Sequence, residues 1–119
     1  MSCKTENKNY ITLCSVKKGD TWEGFNFELQ EDNGTVIPLD DVASILIQFK
    51  KNKTAQIANF EFKTENNTIQ FIDGKATLMP IVMNFDIGIY FFDCQLTYAN
   101  GKVRTIFEGQ IELKQDVSR

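Results

Sequence analysis

Asp93 and Glu108 come nearest to a pair of residues that could do chemistry in this chain. Asp93 sits among aromatic residues, and it faces Glu108 if the segments flanking Asn100-Gly101 pair as a hairpin. Two carboxylates held face to face away from water repel each other, and one of them is driven toward its protonated form. The ordinary alternative is two solvated acids splayed apart, or one paired with Arg104, because acidic side chains are mostly exposed. Asp40-Asp41 and Glu31-Asp32 are adjacent pairs in turn-like contexts, where such side chains cap backbone or face water. The chain has no histidine, which removes the commonest general base, the commonest metal ligand and the partner for a serine or cysteine nucleophile. Cys3, Cys14 and Cys94 are too far apart in sequence to read as a zinc site. Their odd number argues against a disulfide framework, and Cys14 and Cys94 fall in strand patterns as small, buried, inert thiols.

Known chemical motifs are missing too. There is no Gly-rich phosphate loop, nucleophile elbow or HExxH sequence. Asp32-Asn33-Gly34 lacks the remaining ligands of a calcium loop and reads as a hairpin turn. Lys50-Lys51-Asn52-Lys53 has no interleaved aromatic residues for stacking bases, so it reads as a solvated loop. The expectation is a protein that is not an enzyme, with no catalytic, cofactor-binding or metal-ligating residues.

The elements that position Asp93 and Glu108 are written most clearly between Gly88 and Arg119. Asn100-Gly101 is a favoured pair for a two-residue type I′ turn, in which both central residues need positive φ. With that loop, Tyr98 faces Val103, Leu96 faces Thr105, Cys94 faces Phe107, Phe92 faces Gly109 and Tyr90 faces Ile111. These pairs form one apolar face, expected to be buried with Leu113. Thr97 with Arg104, Gln95 with Ile106, and Asp93 with Glu108 form the other. A slip of one residue would turn the buried set outward, so the pattern fixes the register.

Upstream, residues 1–9 are polar and read as a flexible N-terminal arm, and 10–119 as a single β-sandwich domain. Tyr10 to Lys17 is β-prone, Lys18-Gly19-Asp20 a turn, and Thr21 to Gln30 a strand with Phe25, Phe27 and Leu29 at period two. Trp22 has the opposite parity, so either a bulge at Gly24 re-aims it or it faces outward. Glu31 to Gly34 reads as a turn, and Val36-Ile37 as a short extended piece stopped by Pro38. Ala43 to Lys50 is a strong strand, with Ile45, Ile47 and Phe49 on one face. Phe60 and Phe62 mark a strand, Thr68 to Ile72 another and Gly74 to Leu78 a third, while Met79 to Asp86 has room for one helical turn. About eight short strands with turn signals between them are the signature of an all-β, antiparallel sandwich.

Composition agrees with that class. A chain of 119 residues with 42% hydrophobic content and ten phenylalanines can build one aromatic core without metal or disulfide support. A net charge of −3 gives no general attraction to nucleic acid or anionic lipid. No apolar run approaches the roughly 20 residues needed to span a bilayer. The first residues lack the apolar stretch of a secretory signal, so a cytosolic site of synthesis is expected. The sequons at Asn33, Asn52 and Asn66 then mean only loop chemistry.

Three stretches resemble one family. They are Lys18-Gly19-Asp20-Thr21-Trp22 with Phe25 and Phe27; Ile37-Pro38-Leu39-Asp40 running into Ala43–Lys50; and Gly88–Leu96 followed by Asn100–Thr105, Gly109 and Asp116-Val117-Ser118-Arg119. In order and spacing they are similar to the N-terminal domain of the bacteriophage baseplate upper protein, a module also seen in other phage virion proteins. The resemblance spans residues 17 to 119. It implies an immunoglobulin-like β-sandwich that attaches to a neighbouring virion protein, and it transfers no catalytic motif. Because the chain stops where the module stops, an adaptor, plug or decoration piece is expected rather than a complete fibre.

These observations lead to the expectation of a virion structural protein, assembled in the host cytoplasm in multiple copies. It would dock on other phage proteins of the tail, baseplate or portal-proximal region, without nucleic acid or membrane. Head decoration or fibre anchoring are variants of the same reading. The expected partner-binding residues are Trp22, Phe91, Arg104, Ile106 and Glu108, since apolar Phe91 and Ile106 fall on the outer hairpin face. Alternatively the arm before Tyr10 folds over them. A carbohydrate-binding module, using Trp22, Tyr10 and Tyr98 to stack on host glycans, is the reading from a different class.

Overall fold

The computed structural model describes residues 4–7, 10–31 and 34–115, which form twelve strands and one short 3-10 turn at Leu39–Asp41. The strands are β1 (Lys4–Asn7), β2 (Tyr10–Leu13), β3 (Val16–Lys17), β4 (Thr21–Trp22), β5 (Asn26–Phe27), β6 (Val42–Lys50), β7 (Phe60–Lys63), β8 (Ile69–Ile72), β9 (Lys75–Leu78), β10 (Ile81–Val82), β11 (Gly88–Tyr98) and β12 (Val103–Lys114). Seven of them make the main sheet, in the order β1-β2-β12-β11-β6-β7 with β3 also on β12. The facing layer consists of the three-stranded β5-β9-β8 sheet and the β4-β10 pair. The chain is therefore an all-β sandwich, as the alternating pattern predicts. It is not wholly antiparallel, because β2 and β3 both run parallel to β12. No helix among the described residues is long and apolar enough to cross a membrane.

The long hairpin holds its expected register from Gly88↔Leu113 through Cys94↔Phe107, which includes Asp93↔Glu108. Beyond that point the pairing shifts by one residue, to Gln95↔Thr105, Leu96↔Arg104 and Thr97↔Val103. Two linked features produce the shift. The Gly101 N–H donates to the Tyr98 carbonyl and the Tyr98 N–H to the Lys102 carbonyl, so the loop has three residues, Ala99-Asn100-Gly101. Only Gly101 takes positive φ there, at 92°, which is the type I turn with a G1 bulge rather than the type I′ turn expected. A second bulge at Ile106 then restores the register that buries Phe107, Ile111 and Leu113.

The consequences for individual residues are direct. Val103, expected in the core, is 62% exposed, because the shifted end of β12 no longer presents it inward. Arg104 instead lies opposite buried Leu96. The type I′ geometry occurs elsewhere, at Asp73-Gly74 between β8 and β9, where both residues have positive φ.

Between the layers sit Ile45, Ile47 and Phe49 of β6, Tyr90, Phe92, Cys94 and Leu96 of β11, and Phe107, Ile111 and Leu113 of β12. Phe25, Phe27, Leu78 and Met83 meet them from the other side. Alternation along β6 and β11 places every second residue here, as a sheet buried on one face requires. Trp22 belongs to this core, with ring centroids 5.9 Å from Phe49, 5.8 Å from Phe62 and 6.2 Å from Phe25. Gly24 re-aims it: its φ is +75°, and a Cβ there would meet the Leu78 carbonyl oxygen at 2.7 Å.

Other expectations need correction. Tyr10–Lys17 is broken at Cys14-Ser15, and Cys14 is exposed and disulfide-bonded rather than a buried thiol. Cys94 is a free, buried thiol, and burial together with nearby Asp93 pushes its pKa far up, so it stays protonated. Lys4–Asn7 is not a loose arm, since it pairs antiparallel with β2 and extends the sheet edge. Within Met79–Asp86 there is no helical turn but strand β10, which pairs with β4. The expected Glu31–Gly34 turn is closed by the Gly34 N–H donating to the Glu31 carbonyl at 2.9 Å, while Asp32, Asn33 and the closing motif 116–119 lie outside the described residues.

Candidate functional site

The outer face of the main sheet carries the side chains that the alternation turns away from the core. In its middle a concavity of about 120 Å³ is lined by Tyr10 of β2, Gln48 and Lys50 of β6, Lys53 of the following loop, Phe91 and Asp93 of β11, and Glu108 of β12. Its floor reaches Phe92 and Gly109. Gly109 is required at that spot. A Cβ there would overlap the Ile11 carbonyl oxygen and stand 2.5 Å from Phe92 Cζ, so only glycine lets β2, β12 and the Phe92 ring approach this closely.

Ladder pairing sets the geometry of the wall. Asp93 lies directly opposite Glu108 on one side and Gln48 on the other, while Phe91 lies opposite Lys50 and Gln110. The Tyr10 hydroxyl donates to Gln110 Oε1 at 2.8 Å, and the Gln48 amide donates to Glu61 Oε2 at 3.2 Å. Lys53 Nζ stands over the Phe91 ring, 4.6 Å from its centroid, a cation–π contact. Partial burial raises the Asp93 pKa; Lys50 opposes that rise, and Glu108 adds to it. Asp93 is thus half-buried and Glu108 exposed, so the desolvation falls on Asp93, with the repulsion from Glu108 a lesser contribution. A second hollow, lined by Leu46, Glu61, Lys63, Glu65, Gln95 and Thr97 among others, has no aromatic wall.

Of the five expected partner-binding residues, two meet at this site: Phe91 and Glu108. Trp22 packs on three phenylalanines in the core. Arg104 reaches from the shifted end of β12 to the Glu31 corner, with Nη1 3.4 Å from Glu31 Oε2 and Nη2 donating to the Gln30 carbonyl at 3.0 Å. Ile106 is the extra residue of the bulge and packs against the core, half buried. The aromatic residues proposed for sugar stacking are likewise separated. Tyr10 lines the concavity, while Tyr98 and Trp22 pack against the core.

Sequence reasoning missed Tyr10, Gln48, Lys50 and Lys53 as members of one site. Their signal was weak, because the parallel β2–β12 pairing and the fold-back of the loop after β6 leave no local pattern. Compared with family models, curated proteins and solved structures, the chain matches none.

Proposed function

We propose that this chain is a non-enzymatic structural module of a bacteriophage virion, docking in several copies on a neighbouring virion protein through the outer face of its main sheet. The observation that carries the reading is the ordered resemblance of Lys18–Trp22, Ile37–Lys50 and Gly88–Gly109 to the baseplate upper protein's N-terminal domain. The β-sandwich is compatible with it. So is an outer face that presents Phe91 within a rim of Lys50, Glu108 and Gln110, an apolar centre with a polar border of the kind interfaces use. The tail, baseplate or portal-proximal region is the proposed location, with head decoration and fibre anchoring as variants.

Mass spectrometry of purified particles of the encoding phage tests this. The chain should be present in mature virions at a stoichiometry of several copies, and its absence from them would sink the reading. The carbohydrate-binding alternative gains nothing from the side-chain arrangement, since Trp22 is occupied in the core.

A further inference from the structure

The concavity between β2, β12, β11 and β6 has a chemistry of its own. One aromatic wall, Phe91, stands beside two facing carboxylates, Asp93 and Glu108, with Tyr10 and Gln48 at the sides. The structure also shows what this wall accepts, since the ammonium of Lys53 rests over the Phe91 ring at 4.6 Å. Lys53 is an exposed residue of the loop after β6, so the contact is made at the surface. With Lys53 swung away, the lining keeps two carboxylates and the single ammonium of Lys50, an excess of negative charge next to a π face.

We propose that this concavity is a socket for the cationic side chain, arginine or lysine, of a basic segment of a partner protein, which enters by displacing Lys53. The inference rests on the outer face being the docking surface and adds the chemistry of the partner. A guanidinium or ammonium would stack on Phe91 and bridge Asp93 and Glu108, relieving the repulsion between them. Lys53 is then an internal competitor that fills the socket when no partner is present. Its role gives the proposal a signature: removing a positive charge outside the concavity should tighten nothing, but removing Lys53 should tighten binding of a cation.

The test is an NMR titration of the isotopically labelled protein at physiological ionic strength with a blocked Gly-Arg-Gly tripeptide. Blocked Gly-Gly-Gly and a neutral N-acetylglucosamine disaccharide serve as comparison probes. The arginine peptide should shift the amides of Phe91, Asp93 and Glu108, and Gly-Gly-Gly should not. Lys53→Ala should tighten binding about two- to fivefold, the worth of an exposed cation–π contact. Asp93→Asn and Glu108→Gln should each weaken it by about tenfold, as loss of a close charge partner does. Glu65→Gln, on the second hollow, should leave it unchanged. Binding that ignores Asp93→Asn, or that Lys53→Ala weakens, overturns the proposal. So does a disaccharide that shifts these amides while the peptide does not. These outcomes do not depend on finding the chain in particles, so failure here leaves the virion reading standing, and absence from virions leaves the socket standing.

Discussion

Gly109→Ala is the substitution whose cost follows most directly from the geometry. The new methyl group would overlap the Ile11 carbonyl oxygen of β2 and stand 2.5 Å from Phe92 Cζ, well inside ordinary contact distance on both sides. The Phe92 ring can turn, at a cost of about 1 kcal/mol for leaving its rotamer. The Ile11 oxygen cannot give way so easily, because it belongs to backbone held against β12 by the parallel Gly109↔Ile11 pairing. Overpacking of this kind costs about 1–3 kcal/mol, and contact with backbone argues for the upper end. For a chain of this size, 3 kcal/mol corresponds to a fall of roughly 10 °C in the thermal midpoint. Calorimetry of Gly109→Ala beside the wild type measures it, and amide exchange should show β2 losing protection first. Adding Phe92→Leu to the same variant should recover only the ring's share. A Gly109→Ala protein whose midpoint moves by less than about 2 °C would refute the close approach of β2 and β12.

Phe107→Ala should cost about 3–5 kcal/mol, since its ring packs edge-on to Phe27 at 4.9 Å and against Phe25 and Phe92; urea titration checks it. Asp93→Asn should raise the thermal midpoint at neutral pH. Its carboxyl is raised above the ordinary 3.8, so the folded state binds the proton more tightly than the unfolded chain does. Wild-type stability therefore rises as pH falls through the folded-state pKa, and the advantage of the asparagine should fade by about the ordinary carboxylate value. An advantage undiminished at low pH would contradict this. Ile106→Ser and Phe91→Ser should part company in melting experiments, with Ile106→Ser lowering the midpoint because it packs on the core and Phe91→Ser leaving it nearly unchanged.

The sequence carried the architecture further than it carried the site. Alternation in Ile45–Phe49 and Tyr90–Leu96, with Phe107, Ile111 and Leu113, identifies the buried faces of three neighbouring strands correctly. The paired acids Asp93 and Glu108 were legible for the same reason, because they lie in the part of the hairpin whose register the apolar residues enforce. The part near the loop was not. Asn-Gly is compatible with two loop lengths, and the choice between them depends on where a compensating bulge can form. Here that is Ile106, whose half-buried packing only the folded sandwich reveals. That single residue moved Arg104 from the outer face to the Glu31 corner and Val103 out of the core.

Trp22 depended on one glycine in the same way, and the positive φ of Gly24 decided between the two orientations the pattern allowed. Besides Gln48 and Lys50 of β6, the remaining walls of the concavity come from β2 and from the loop carrying Lys53. Alternation along β6 turns Gln48 and Lys50 to the outer face, but β2 and the loop are harder to place. These reach the hairpin through parallel pairing and a cation–π contact, and neither leaves a periodic trace in the chain.

The proposed docking through the outer face of the main sheet stands or falls on the Phe91→Ser variant. With the chain proposed as a virion protein, the variant would be introduced into the phage proposed to encode it and its copy number in purified particles measured, beside the melting curve of the isolated protein. Its midpoint should stay close to wild type, with incorporation largely lost. A Phe91→Ser protein that is equally stable and enters particles at the wild-type copy number would contradict it.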